Sequence, residues 1–232
     1  MSSLGWTASD TSVIGHSMGG GIGLLYGGTF AADIHKLVLI DSFGPHTTSA
    51  ENALSDLRKS LEAADKANAD LRGMKIYPTL GDAISARVEN VRKYPGNQSI
   101  TRDAAAALVR RGTKYVASIP VGLPDNCEEV EPTNETDGPV QFRHDPRLAL
   151  PSLSYLLSEQ INSFVRGIIC PVLLVQAKDG WPVSNPGDFE KRKQILEVKK
   201  LITHLILPGS HHLHLDEQSF EECGKTIADF LK

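Results

Sequence analysis

Ser17 has the sequence setting of a serine nucleophile. It is the central residue of Gly15-His-Ser-Met-Gly19, a G-x-S-x-G pattern between a short β-branched run and a segment of small residues typical of a helix. In a strand–turn–helix of this kind the turn is so sharp that the serine side chain is exposed at the strand end, and the glycines avoid Cβ collisions. Ser17 could attack a carbonyl carbon there, and the N–H of Met18 could stabilise the resulting oxyanion. The pattern therefore predicts acyl-transfer chemistry.

The segment after Ser17 predicts a helix over 20–30 that packs closely against a sheet. Gly19, Gly23 and Gly27 recur every four residues and so lie on one helix face. Each glycine costs about 1 kcal/mol relative to alanine in a helix interior, which favours a role in close packing. The segment lacks the Gly-Lys-Ser/Thr of a phosphate-binding loop and the G-x-G-x-x-G of a dinucleotide fold, so nucleotide binding is not predicted.

A serine nucleophile requires a histidine base, and the end of the last predicted strand carries candidates. Leu207-Pro-Gly-Ser leads directly to His211, and His212 and His214 lie beside it. The alternatives are loop histidines held by hydrogen bonds, or a metal site. Since no nearby Cys or Glu completes a metal-ligand set, no metal is predicted. His16 is predicted to be a structural residue that packs beside the serine.

The base in turn requires an acid that orients it, and two aspartates qualify. Asp41 directly follows the second predicted strand, and Asp179 follows the third. Both strand ends are expected at the same sheet edge as Ser17. The residues alone leave the choice of acid open.

Four apolar runs predict a parallel sheet covered on both faces, because they consist almost entirely of leucine and β-branched residues. The runs are 12–15, 36–40, 171–176 and 203–207, and three of them lead toward helices. The region between the second and third runs is predicted to be mainly helical. The sequence therefore predicts an α/β fold, with a core at 1–46 and 168–232 and an inserted helical cap, or lid, at 47–167.

Composition restricts the partners that the chain is expected to have. The formal net charge of the 232 residues is −4, so a small-molecule substrate is expected rather than nucleic acid. The three cysteines are scattered, without a C-x-x-C, which favours a reducing, cytoplasmic environment. Neither a signal peptide nor a membrane span is predicted. No cofactor is expected, and composition does not predict the oligomeric state.

The chain resembles the α/β-hydrolase superfamily and, within it, the serine hydrolase-like (kraken-type) family. The resemblance rests on blocks from nearly the whole chain, of which the block at 142–148 is the most specific to the family. The blocks are Leu4-Gly-Trp6, Val13-Ile-Gly-His-Ser-Met-Gly-Gly20, Leu37-Val-Leu-Ile-Asp-Ser-Phe-Gly-Pro45, Phe142-Arg-His-Asp-Pro-Arg-Leu148, Pro171-Val-Leu-Leu-Val175, Asp179-Gly-Trp181 and Leu207-Pro-Gly-Ser-His-His-Leu-His-Leu215.

The resemblance implies site roles for particular residues. His211 is identified as the base, because its distance from Asp216 matches the spacing in the family. Asp41 is favoured as the acid over Asp179, since Ala177-Lys-Asp-Gly displaces Asp179 by one position from the usual pattern. The family also implies four strands before the strand at 12–15, one of whose loops supplies a second oxyanion N–H. The chain is therefore expected to be N-terminally truncated, with 12–15 as an edge strand.

The predicted function is that of a serine hydrolase that cleaves a small carboxylic ester, or a related thioester or amide, through Ser17, His211 and Asp41. Epoxide hydrolases and dehalogenases of this fold are disfavoured, because they need a carboxylate where Ser17 stands. The alternative is a non-catalytic binding protein of the same fold, or an inactive truncated isoform. The sequence does not predict the acyl group or the alcohol.

Overall fold

The computed structural model describes residues 5–7, 11–69, 75–96, 98–116, 138–181 and 186–232. The strands in chain order are β1 (Ser12–His16), β2 (Lys36–Ile40), β3 (Thr47–Thr48), β4 (Ile76–Tyr77), β5 (Thr113–Tyr115), β6 (Val140–Phe142), β7 (Leu156–Leu157), β8 (Val172–Asp179) and β9 (Ile202–Ser210). The α-helices in chain order are α1 (Met18–Thr29), α2 (Ala53–Ala69), α3 (Leu80–Arg92), α4 (Arg102–Gly112), α5 (Ser158–Gly167), α6 (Pro186–Val198) and α7 (Phe220–Leu231). Among the helices of these ranges, none is long and apolar enough to cross a membrane.

Four strands form a wholly parallel sheet in the order β1-β2-β8-β9. The prediction of four parallel strands is confirmed, and β8 and β9 continue past their predicted ends to Asp179 and Ser210. Within the described residues, β1 pairs only with β2 and forms an edge of the sheet. Because all four strands run in one direction, the loops that follow them meet at the same edge.

The central strands β2 and β8 are covered on both faces by helices, as their apolar runs predict, while Ile14 of β1 and Ile206 of β9 are more than half exposed. Alternate side chains of β2 and β8 point to opposite faces. On one face they pack with α1, α5 and α6, through a core that includes Leu37, Leu39, Leu174 and Leu196. On the other face they pack with α7, through a second core that includes Val38, Val175 and Cys223.

The glycines of α1 allow two close approaches. A Cβ on Gly23 would lie 3.3 Å from Val13 Cγ1 and one on Gly27 would lie 3.4 Å from Leu37 Cδ2, so these two positions pack on the sheet as the spacing predicts, whereas a Cβ on Gly19 would have nothing within 4 Å. A Cβ on Gly28 would collide with the main chain of Phe164 in α5. The second approach, between two helices, is not evident from the glycine spacing alone.

The described residues fall into two compact units, each with its own core. The first comprises Met1–Ala50, Tyr94–Ser99 and Tyr155–Lys232, and the second comprises Glu51–Lys93 and Ile100–Ser154. The first unit holds the parallel sheet and a two-stranded pair, β3-β7. The predicted cap, 47–167, has wider bounds than the second unit, and its role as a cap stays a prediction.

The second unit combines helices with a short antiparallel sheet in the order β4-β6-β5. Its core includes Tyr77, Ile84, Val109 and Val140. Thr79 caps α3, as its Oγ1 accepts a hydrogen bond from the N–H of Asp82 at 3.0 Å. Residues 117–137, which the predicted cap includes, lie outside the described residues.

Gly15→Ala is expected to lower the free energy of unfolding by about 1–3 kcal/mol. The new Cβ would collide with the main chain of Gly19 and Gly20, at the start of α1, which cannot move aside without opening the turn. Gly224→Ala in α7 is the matched control, since its Cβ would have nothing within 4 Å. It is expected to stabilise the chain by about 0.5–1 kcal/mol. Denaturant unfolding measures both, and equal midpoints for Gly15→Ala and the wild type would contradict the tight turn.

Candidate active site

Ser17 lies in a strained backbone conformation between β1 and α1. Its φ is 54° and its ψ is −122°, although it carries a side chain. Two hydrogen bonds hold this conformation: the N–H of Ser17 donates to Ile40 O at 3.2 Å, and its carbonyl accepts from the N–H of Gly21 at 3.1 Å. Strain of this kind persists where surrounding structure enforces it, and it is often found at functional sites.

The His211 ring connects Ser17 to Asp41. Its Nε2 lies 2.8 Å from Ser17 Oγ, and its Nδ1 lies 2.6 Å from Asp41 Oδ2. An ionised carboxylate only accepts hydrogen bonds, so the proton of the neutral ring is assigned to Nδ1. Nε2 then accepts from the serine hydroxyl. The structure thus brings together the three residues that the sequence predicts as nucleophile, base and favoured acid.

Asp41 is held by main-chain N–H groups at the end of β8. Its Oδ1 accepts from the N–H of Ala177 and its Oδ2 from the N–H of Trp181, each at 2.9 Å. Its side chain is only 4% exposed. Gly180 lies directly against the carboxylate, where a Cβ would collide with it. These contacts fix the carboxylate in the position from which it meets His211.

The structure places the alternative acid elsewhere. Asp179 ends β8 beyond an irregularity in its pairing with β9, and its side chain is exposed. Its main-chain carbonyl accepts a hydrogen bond from Gln98 Nε2 at 3.1 Å. The carboxylate that contacts His211 is therefore that of Asp41.

Met18 is the first residue of α1, directly after Ser17. The N–H groups of the first helical turn have no acceptor within the helix, so that of Met18 can serve a ligand. The helix dipole adds partial positive charge at the same place. This geometry fits the predicted oxyanion-binding role.

His16 is held against the main chain of His211. Its Nε2 lies 2.7 Å from the His211 carbonyl oxygen, and its ring centroid lies 4.3 Å from that of His214. Burial, and then the neighbouring His214, lower the pKa of His16 to about 4 from an ordinary 6.5. The ring is therefore neutral near pH 7 and bonds as an N–H donor.

Gln98 is a site neighbour that the sequence analysis missed. It is 4% exposed, and its Oε1 accepts from the N–H of His211 at 2.9 Å. Gln98 lies far along the chain from Ser17, Asp41 and His211, and it belongs to none of the predicted motifs. Among the described residues, no group of three or more His, Cys, Asp or Glu side chains could hold a metal ion.

The chain is similar to curated serine hydrolase-like proteins. That of Dictyostelium discoideum is 26% identical over 215 residues, which cover 90% of this chain and 52% of the relative. The chain spans between 52% and 65% of the lengths of the curated relatives that it matches. No protein-family model matches the chain.

Solved structures show the same fold. A hypothetical protein from Pseudomonas aeruginosa PAO1 superimposes with a TM-score of 0.74 and 31% identity, over 99% of this chain and 70% of that one. A thioesterase domain from the curacin biosynthetic pathway superimposes with a TM-score of 0.55 and 18% identity, over 90% of this chain and 62% of that one. Together with the serine at a sharp strand–helix turn, these likenesses define an α/β-hydrolase fold. The chain is thus similar in sequence to serine hydrolase-like proteins and has the α/β-hydrolase fold, as the resemblance implies.

Proposed function

We propose that the protein is a serine hydrolase that cleaves small carboxylic esters or related acyl substrates through a covalent acyl-enzyme. The observation that carries the proposal is the continuous hydrogen-bonded path from Ser17 Oγ through the His211 ring to the Asp41 carboxylate. Because Nε2 of the neutral His211 accepts from Ser17, it can take the hydroxyl proton as the oxygen attacks.

In the first half-reaction Ser17 Oγ bonds to the acyl carbon of the substrate while its proton moves to His211 Nε2. Asp41 stabilises the imidazolium that forms, and it stays ionised. The carbonyl oxygen becomes an oxyanion, which the Met18 N–H stabilises at the start of α1. Collapse of the tetrahedral intermediate breaks the bond to the alcohol, whose oxygen takes the proton back from His211.

In the second half-reaction a water molecule replaces the alcohol. His211 removes a proton from this water as its oxygen attacks the acyl carbon, and a second oxyanion forms. When this intermediate collapses, Ser17 Oγ leaves and recovers its proton from His211. The products are a carboxylic acid and the free enzyme, so the cycle consumes one water and needs no cofactor in this mechanism.

Esters and thioesters are the proposed substrate class for two reasons. Two solved structures of this fold are of an esterase from Mycobacterium tuberculosis, and another is of a thioesterase domain. A serine nucleophile with a histidine base suits acyl transfer, whereas the related chemistry on epoxides or haloalkanes needs a carboxylate nucleophile. We also propose a cap role for the part of the predicted insertion that forms the second unit, Glu51–Lys93 and Ile100–Ser154.

Turnover of p-nitrophenyl acetate and butyrate tests the proposal. We expect the wild-type chain to release p-nitrophenol with saturation kinetics, and Ser17→Ala to remove this activity because it deletes the attacking oxygen. Circular dichroism and size-exclusion chromatography show whether both proteins are folded. A folded wild-type chain that is no faster than Ser17→Ala would contradict the proposal and favour a binding protein of the same fold.

A further inference from the structure

We propose that Gln98 and His16 are positioning residues that hold the two main-chain polar groups of His211, and thereby align its ring between Ser17 and Asp41. The inference rests on the proposed function and goes beyond it, because neither residue belongs to the catalytic path. We call the pair the His211 clamp.

Gln98 holds the N–H side of His211. Its side-chain oxygen accepts from that N–H at 2.9 Å. Its side-chain nitrogen lies within hydrogen-bond distance of three main-chain carbonyls, at 3.2 Å for Pro95, 3.1 Å for Asp179 and 3.0 Å for Gly180. A buried amide with partners for both its donor and its acceptor atoms has a defined orientation, so Gln98 joins the loop after β9 to the end of β8.

The end of β8 is also the segment that holds the Asp41 carboxylate. Ala177 and Trp181 donate their N–H groups to it, and they flank Asp179 and Gly180, two of the three residues whose carbonyls lie near the Gln98 nitrogen. Gln98 therefore ties the main chain of His211 to the segment that carries the Asp41 contacts. This link matters for the site because the distance of 2.6 Å between Asp41 Oδ2 and His211 Nδ1 depends on the position of the end of β8 and on that of the loop that carries His211.

His16 holds the carbonyl side of His211. A carbonyl oxygen only accepts, so His16 Nε2 must carry a proton to make the 2.7 Å contact. Burial keeps the pKa of His16 at about 4, which leaves the ring neutral with a single N–H to donate. His16 directly precedes Ser17, so this bond ties the His211 main chain to the strained turn of the nucleophile.

The clamp matters because the His211 ring must meet two partners at once. Its position depends on its own main chain and on two side-chain torsions, so a shift of the loop moves Nε2 and Nδ1 together. A misplacement of about 1 Å in a catalytic group can cost about a hundredfold in rate. Gln98 and His16 fix the loop from two directions, one toward the acid and one toward the nucleophile.

Variants can separate this role from general stabilisation. Gln98→Met keeps the side-chain length but removes both polar atoms, and His16→Phe keeps a ring but removes the donor. His16→Gln is the conservative variant, because its amide nitrogen can donate from nearly the place of Nε2. Ser210→Ala is the matched control: it removes a 2.7 Å bond from Ser210 Oγ to Ser99 O, which joins the last residue of β9 to the residue after Gln98 and does not involve the polar main-chain groups of His211.

The test compares p-nitrophenyl ester turnover, the rate of reaction of Ser17 with a fluorophosphonate, and the melting temperature. We expect Gln98→Met and His16→Phe to lower kcat and the fluorophosphonate rate about 10- to 100-fold with little change in KM. Ser210→Ala and His16→Gln are expected to stay close to the wild type in rate. If Gln98→Met does not fold, Gln98→Asn replaces it, since its amide is withdrawn by one methylene.

Each outcome decides the proposal. The clamp is supported if Gln98→Met (or Gln98→Asn) and His16→Phe are folded and react slowly, while Ser210→Ala and His16→Gln react at close to the wild-type rate. Wild-type rates in folded Gln98→Met and His16→Phe would overturn it while leaving the proposed function intact, as would an equal loss in Ser210→Ala. A folded wild-type chain that reacts with neither probe would overturn the proposed function, and the catalytic role of the clamp with it.

Discussion

His211→Gln is expected to lower kcat for p-nitrophenyl esters by about 10⁴- to 10⁶-fold, the scale of loss when a serine hydrolase loses its base. The His211 ring is the group that contacts both Ser17 Oγ and Asp41. A glutamine amide could approach Ser17 in its place, but its nitrogen donates a hydrogen bond and cannot take the hydroxyl proton. The nucleophile would remain in its strained turn without a base, so KM is expected to change much less than kcat.

His212→Gln is the matched control for this prediction. His212 is also buried, and its ring lies edge-on to that of His211 with centroids 5.4 Å apart, but the ring that lies against Ser17 Oγ is that of His211. We expect His212→Gln to keep most of the activity. If it lost as much as His211→Gln while both variants stayed folded, the assignment of His211 as the base would be wrong.

Asp41→Asn is expected to lower kcat by about 10⁴-fold, as loss of the orienting carboxylate does in a serine triad. The Ala177 and Trp181 N–H groups and the His211 Nδ1–H all point at the carboxylate. An amide has only one acceptor oxygen, so at least one of these donors would face an NH₂ group. If that donor is the His211 ring, the ring takes the other tautomer, and Nε2 then carries a proton and cannot accept another from Ser17.

Asp179→Asn makes the same chemical change at the alternative acid. Its side chain is exposed, so we expect near wild-type kcat and unchanged stability. The pair is compared by kcat and by thermal unfolding. Loss of activity in Asp179→Asn, with retention in Asp41→Asn, would reverse the assignment of the acid.

The parallel sheet and the main site residues could be predicted because they depend on local patterns. A buried strand gives a continuous apolar run, and a tight turn needs glycines at fixed positions, so the sequence around Ser17 indicates a strand, a turn and a helix. Asp41 and His211 each follow such a run. The fold is confirmed, and the structure brings these side chains into contact, while their catalytic roles stay predictions.

The rest depends on contacts that no local pattern reports. The spacing of Thr48 and Glu51 is typical of a capping box and favours a helix that begins at Thr48. Thr48 lies instead in β3, paired with Leu157, and α2 begins at Ala53. The strands of the second unit are two or three residues long, too short to produce a recognisable period. The role that we infer for Gln98 depends on its contacts with the end of β8 and with His211, which are distant from it in sequence, so no local pattern predicts it.

The choice between the two acids also required tertiary structure. Ala177-Lys-Asp-Gly leaves Asp179 only one position from the usual pattern, and both aspartates follow strands of the same sheet. The pairing of β8 with β9 is irregular between Ala177 and Asp179, and the Asp179 side chain is exposed. Ala177 and Trp181 instead direct their N–H groups to Asp41. The packing of β8 beside β2 brings these N–H groups to the Asp41 carboxylate, so the sequence of neither strand predicts the contact.

Mass spectrometry of the folded chain after reaction with a fluorophosphonate tests the central claim most directly. The reagent phosphonylates a serine only when a base activates it, and peptide mapping identifies the modified residue. We predict one adduct per chain, located on Ser17, that is absent from Ser17→Ala and strongly slowed in His211→Gln. A folded wild-type chain that stays unmodified, or carries its adduct on another residue, would contradict the assignment of Ser17 as an activated nucleophile.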